Sequence, residues 1–196
     1  MDFEPTRAAA RERLRTFLPA AGDHYAHWRN HDFGPADRAN VSGLSPWITC
    51  RRLTEAEVLA AVLERHGRAA AERFVQEVFW RTWSKGWLER HASAWTQWRA
   101  ALAEAQARLA DDPALARAWH EAVGGHTGID CFDAWARELT AHGYLHNHAR
   151  LWFASIWIFT LRLPWALGAA FFLRHLLDGD AASNTLGRRW VAGLQT

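Results

Sequence analysis

Residues 69–88 read AAAERFVQEVFWRTWSKGWL. Ala, Glu, Arg, Gln and Leu are strong helix formers, and Glu72, Val75, Phe79 and Trp83 alternate polar and apolar positions at intervals of three and four, the period of a helix and not of a strand. The same composition fills residues 8–18, 55–64, 92–109 and 114–123, and the pattern continues through 131–141, 145–161 and 165–177. Nothing reads as a sheet, so the expected fold class is all-α. Thr54 followed by Glu57 forms a capping box, and Gly67 stands where that helix should stop. Asp111-Asp112-Pro113 and Gly124-Gly125-His126-Thr127-Gly128 mark breaks in the middle of the chain, and Leu163-Pro164 parts the last two helices. Those two are nearly apolar all round and belong in the centre of the fold. Residues 22–46 are polar, contain Pro and Gly, and read as a long loop, a feature often functional in compact domains.

Composition narrows the class. The chain has 196 residues, 49% apolar and 22% charged, enough for one well-buried domain or at most two very small ones. Cys50 and Cys131 cannot make a disulfide framework, and no basic-then-apolar segment opens the chain, so a cytoplasmic protein is expected. Arg162, Pro164 and Arg174 interrupt the apolar stretch 151–177, leaving no run of the roughly 20 residues a membrane span needs. All but one of the 23 basic residues are Arg, the better phosphate fork, yet a net charge of +2 is too small to demand a nucleic-acid partner. Thirteen Trp is several times ordinary usage. Indole fills cores, stacks on bases and relays electrons.

Three segments gather polar groups. Val41-Ser42-Gly43-Leu44-Ser45-Pro46 offers hydroxyls, a glycine and amides that suit a diphosphate, and equally suit a plain turn. Glu77, Trp80 and Arg81 lie three and four apart on one helix face. They read either as one wall of a site or as an intrahelical Glu77–Arg81 ion pair beside a core indole. The third segment runs Gly143-Tyr144-Leu145-His146-Asn147-His148-Ala149-Arg150, then Asp178-Gly179-Asp180-Ala181-Ala182-Ser183-Asn184. Its charges flank the most apolar part of the chain, where ionised groups must pair or bind a polar ligand. His146 and His148 at i and i+2 of a helix would point to different faces, which argues against a metal site.

Taken in order, the LSP turn, the Glu-x-x-x-Arg helix, Thr127-Gly128, Asp133-Ala134, Gly143-Tyr144, the HN-x-x-R run ending at Arg150 and the DGD-x-x-x-N run ending at Asn184 resemble the FAD-binding domain of the DNA photolyase and cryptochrome family. The resemblance implies an all-helical domain over residues 25–196, preceded by an Arg-rich helical extension over 1–24, that holds FAD folded into a U. Tyr25, Ser42, Gly43, Leu44, Ser45, Phe74, Glu77, Arg81, Asn147, Arg150, Asp178, Asp180 and Asn184 match the family's cofactor-binding positions. Asn184 corresponds to the residue facing flavin N5 and looks more like a photolyase than a plant or animal cryptochrome. Glu77, Trp80, Asn147, Leu151 and Trp190 match the wall that receives a flipped-out cyclobutane pyrimidine dimer, which makes Glu77, Asn147, Asn184, Trp80 and Trp190 the catalytic candidates. Asn147 also argues against the (6-4) type.

Departures from the family set further expectations. Residues 1–24 cannot encode an α/β antenna domain, so no antenna chromophore is expected. Two cysteines cannot hold an iron–sulfur cluster. The chain continues only six residues past Trp190, which weakens the expectation of duplex binding. In the relay of three Trp, the middle position matches Trp165, but the innermost matches Arg188 and the outer falls near Leu109, so Trp157 or Trp135 would have to substitute. The resemblance therefore implies light-driven repair of pyrimidine dimers in damaged, single-stranded DNA, with no membrane partner. Its rival is a cryptochrome-like photoreceptor or redox flavoprotein that signals to a protein partner, and a third alternative is an inactive FAD-retaining remnant.

Overall fold

The structure is a computed structural model, and it describes residues 3–194. All regular structure among these residues is helical, as the periodicity predicts. The chain divides into two compact units at Trp83–Ser84.

In the first unit, α1 (Arg7–Phe17) is capped by Thr6, whose hydroxyl accepts from the Ala9 amide at 3.2 Å. Ala10, Leu14 and Phe17 on its inner face share a core with Leu44, Trp47, Leu53, Val58, Val62 and Phe74. Two of its arginines are engaged rather than simply solvated: Arg7 pairs with Glu57, and Arg13 donates to the carbonyls of Ser42 (2.6 Å) and Val41 (2.8 Å). The expected loop over 22–46 is shorter than its composition suggests, because α2 (Asp23–Trp28) and the start of α3 (Ser45–Thr49) lie within it. Helices of five or six residues are too short to show a period. Between them the chain is pinned by Asn40, whose side-chain amide donates to the carbonyls of Trp28 and His31 at 2.8 and 2.7 Å.

The next helix, α4 (Glu55–Arg90), opens on the capping box: the Glu57 amide donates to the Thr54 hydroxyl at 3.2 Å, and the Thr54 amide to the Glu57 carboxylate at 2.9 Å. Gly67 interrupts it at φ 71°, a conformation open to glycine and costly for other residues. The expected stop is thus a sharp break between two helical stretches.

The second unit contains α5 (Ala92–Asp111), α6 (Pro113–Gly124), α7 (Asp130–His142), α8 (Asn147–Ser155), α9 (Trp165–His175) and α10 (Ala181–Val191). Asp112 caps α6 by accepting from Ala114 and Leu115, both at 3.0 Å, and Pro113 fills the first position, where no amide is needed. The single helix expected over 145–161 is divided. After α8 the chain widens into a π-type turn, Ile156–Thr160, and leaves through Arg162 at φ 54°. Nothing in the sequence pattern foretold α10, whose polar first turn follows the Asp178-Gly179-Asp180 break. The centre is apolar and aromatic: Phe132, Leu139, Leu145, Phe153, Trp157, Leu167 and Phe172. α9, buried along most of its length, packs against α5 and α10.

One carboxylate in this unit gives a pH-dependent prediction. The Asp133 carboxylate accepts from the Thr127 amide (2.9 Å), the Thr127 hydroxyl (2.7 Å) and the Gly128 amide (3.0 Å), holding the α6–α7 connection. Burial by itself would raise its pKa, but those donors, with Arg137 nearby, outweigh burial and hold the group below its ordinary 3.8. A carboxyl with a depressed folded pKa contributes stability above its unfolded pKa and loses it as pH falls through the folded value. Asp133→Ala is therefore expected to cost about 1–3 kcal/mol at pH 7, with two amides stripped of their acceptor. In urea melts that difference should shrink below pH 4, and a difference independent of pH would refute the assignment.

Candidate functional site

Each unit carries its own share of the expected site residues. In the first, Tyr25 meets Phe74 edge-on at 5.2 Å between ring centroids, and Phe17 at 6.0 Å. Gly43 takes φ 60° at the turn before α3, and Leu44 is buried beneath it. The two carbonyls preceding Gly43 are those held by Arg13, so the segment 41–45 is fixed from below by α1. Ser45 opens α3.

Glu77, Trp80 and Arg81 follow on α4, but not as an intrahelical ion pair beside a core indole. Glu77 pairs with Arg29 at 2.5 Å, while Arg81 reaches the Thr49 hydroxyl at 2.7 Å and Glu55 at 3.5 Å. Trp80 is 57% exposed and meets Trp83 edge-on at 5.3 Å. The reason lies in the partners: carboxylates and cations brought from α2 and from the start of α4 outcompete neighbours one turn away. Pairs this distant in sequence leave no local signal, so Arg13, Arg29 and Thr49 were not legible as supports.

In the second unit, Asn147 lies exposed in the first turn of α8, and Arg150 follows one turn on. Arg150 is anchored at three points. Its Nε donates to the Leu145 carbonyl at 2.7 Å, its guanidinium pairs with Asp178 at 3.4 Å, and its Cζ sits 5.4 Å from the Tyr144 ring centre. Asp180 caps α10, accepting from Ala182 at 2.8 Å and Ser183 at 3.2 Å, with Lys85 at 3.5 Å. Asn184 donates its amide to the Ala169 carbonyl at 2.9 Å. That bond assigns its ends: the NH2 is tied to α9, and Oδ1 is left as an acceptor. Leu151 is half-buried, and Trp190 is 63% exposed.

His146 and His148 do not point to different faces. His146 is the cap of α8, with extended rather than helical backbone, and the two rings stack 5.7 Å apart. Among the described residues, no group of three or more His, Cys, Asp or Glu gathers as a metal site, and no helix is long and apolar enough to cross a membrane.

Of the indoles considered as relays, Trp165 is partly buried against the small cluster of Trp98, Ala166 and Ala169, on which Trp95 also packs, 4.6 Å from Trp98. Trp157 is fully buried and donates to the Pro164 carbonyl at 3.0 Å, and Trp135 stacks on Trp152 at 6.0 Å.

The sequence model described as the FAD binding domain of DNA photolyase matches residues 74–196. The chain belongs to that family. Among photolyases, it is 37% identical over 192 residues to the deoxyribodipyrimidine photo-lyase of Thermus thermophilus, an overlap covering 97% of this chain and 43% of that one. The enzyme of the same name from Streptomyces griseus is 35% identical over 157 residues, covering 80% of this chain and 33% of the other. A class III photolyase from Agrobacterium tumefaciens superposes with a TM-score of 0.77 at 28% identity, over 95% of this chain and 38% of that one. The cryptochrome of Synechocystis shares the fold, with a TM-score of 0.78 at 22% identity over 99% of this chain and 40% of the other. The photolyase-family chain described here thus spans about two fifths of the length of the first relatives it matches.

Proposed function

We propose that this protein binds FAD and uses light to split cyclobutane pyrimidine dimers in single-stranded DNA. The observation that carries the reading is the exposed indole of Trp80, beside Glu77, in a family whose description names FAD and DNA photolyase. An indole left more than half exposed, on a helix otherwise well supported, is available as a stacking surface for an unpaired base. Glu77, oriented by Arg29, offers a carboxylate to the edge of that base. In the second unit Asn147 supplies an amide, Leu151 an apolar contact and Trp190 another exposed indole.

Each unit, taken by itself, holds residues whose chemistry suits a flavin nucleotide. The first unit holds Tyr25 edge-on to the buried Phe74, the hydroxyls and amides of the segment 42–45, and Glu77 and Arg81 on α4. The second unit supplies Arg150 paired to Asp178, Asp180 at a helix start, and Asn184 with an acceptor turned away from α9. Bound FAD supplies the light-driven electron that the dimer receives and returns, so the reaction has no net redox change. Arg150 would offer a bound flavin positive charge that favours its reduced anionic form, and Asn184 would offer an acceptor to an N–H of the ring. Trp80 would hold the lesion by stacking, and Glu77 would fix its orientation.

The test is an absorption spectrum of the purified protein, followed by blue light and reductant with ultraviolet-irradiated oligothymidine. Flavin bands and recovery of thymine absorbance are expected. Glu77→Ala and Trp80→Ala should keep the flavin bands and lose at least about tenfold in recovery, the effect of one lost hydrogen bond or stacking contact. Full recovery in both variants overturns the repair assignment. Flavin bands without recovery in the parent protein favour the photoreceptor reading instead.

A further inference from the structure

Arg188 on α10 is buried, with 5% of its surface exposed. Its Nη1 donates to the main-chain carbonyl of Arg150 at 2.6 Å, and its guanidinium lies over the Phe172 ring, 3.8 Å from the centroid. Its Nε is buried without a hydrogen-bond partner. Among the described residues no carboxylate forms an ion pair with it, and the charged group acting on it is a second cation, Arg150. Burial, and then Arg150, push its pKa down to about 9, which still leaves it protonated at neutral pH.

Two cations therefore act on each other here, while Asp178 is paired with Arg150. An uncompensated buried cation costs several kcal/mol, and a fold retains one when an anion answers it. The chemistry of that anion is constrained from the same helix. Asn184 lies one turn before Arg188 on the same face, and its Oδ1 is the end not tied to Ala169. The face thus offers a hydrogen-bond acceptor and a diffuse positive charge one helical turn apart. Its complement is a ring system with an N–H donor and a delocalised negative charge. An indole, which the family resemblance implies for position 188, could not supply the charge.

We propose that Arg188 holds the bound flavin in its anionic two-electron-reduced state, adding its uncompensated charge to that of Arg150. This rests on the FAD reading above. On reduction the flavin takes two electrons from the reductant and one proton at N5, and the remaining negative charge stays on the ring, where the guanidinium favours it over the neutral oxidised form.

The experiment equilibrates FAD-loaded protein with a redox dye of known potential at pH 7.5 and reads the ratio of reduced to oxidised flavin in the parent, Arg188→Gln, Arg188→Met and Arg188→Lys. Gln removes the charge and keeps a polar amide, although it stops two bonds short of the Nη1 that donates to the Arg150 carbonyl. The reduced fraction relative to oxidised should fall by about tenfold or more in the Gln and Met variants, and stay within about threefold of the parent in Lys. Thermal melting of each variant accompanies the titration, and Gln with Lys decides the matter if Met does not fold. A Gln variant that binds FAD with an unchanged ratio overturns the proposal, as does a lowered melting temperature with no change in ratio, the mark of a purely structural arginine. A parent protein that takes up no FAD overturns the flavin reading itself, a result seen before any variant is compared.

Discussion

Phe153→Ala is expected to destabilise the protein by about 3–5 kcal/mol, a large share of the roughly 5–15 kcal/mol that holds a domain folded. Phe153 is fully buried at the centre of the second unit. Its ring stacks on Phe132 at 4.1 Å, meets Phe172 edge-on at 5.0 Å and lies 5.8 Å from Trp157. The surroundings have little room to collapse into the space left. Trp157 is fixed by its bond to the Pro164 carbonyl, and Gly168 lies so close to that indole that an added Cβ would come within 3.1 Å of it. A cavity that cannot collapse exacts both the lost transfer energy and the lost contacts. Phe153→Leu, which restores most of the volume, should cost about 1–2 kcal/mol. Urea unfolding followed by far-ultraviolet circular dichroism measures both. An alanine variant within about 1 kcal/mol of the parent would mean that this aromatic cluster is loosely packed.

Sequence patterns reached the parts of this molecule that are governed by neighbours along the chain. The Thr54–Glu57 box, the stop at Gly67 and the break before Pro113 are local events, and each stands where the residue types put it. The division of residues 145–161 was not legible, because the π-type turn at Ile156–Thr160 follows from how Trp157 packs and bonds to Pro164, a tertiary matter. α10 was hidden for a different reason: Ser183, Asn184, Thr185 and Gly187 are weak helix formers, and the segment is helical because Asp180 caps it and Ala182, Leu186 and Arg188 are buried against its neighbours. Site residues followed the same rule. Motifs and resemblance named the residues, but Arg29 as the partner of Glu77 and Arg188 as the donor to Arg150 come from contacts 48 and 38 residues apart. Trp80 shows the limit most plainly, since composition favours burial for any indole while this one stands exposed.

Arg150→Leu should cost about 3 kcal/mol in stability and abolish flavin retention, and the two effects have separable causes. The side chains of Arg150 and Asp178 are 20% and 10% exposed, so replacing Arg150 takes its positive charge from beside a mostly buried carboxylate. The Leu145 carbonyl loses its 2.7 Å donor at the same time. Because the pair separation is 3.4 Å, longer than a tight charge-assisted bond, the low end of the range for broken buried pairs applies. If the stability cost arises from the stranded charge, then removing both partners must be milder than removing one. Arg150→Leu combined with Asp178→Leu is expected to be at least about 1 kcal/mol more stable than the sum of the single variants implies. On the FAD reading proposed above, flavin retention is expected to follow the positive charge itself, so the double variant should recover stability without recovering FAD. Urea unfolding of the four proteins in the cycle, with flavin content measured after gel filtration, reads both quantities on the same samples. Additive stabilities would show that the pair is too loosely coupled to matter to the fold, and a double variant that regains flavin would place the cofactor's need in the scaffold rather than in the arginine.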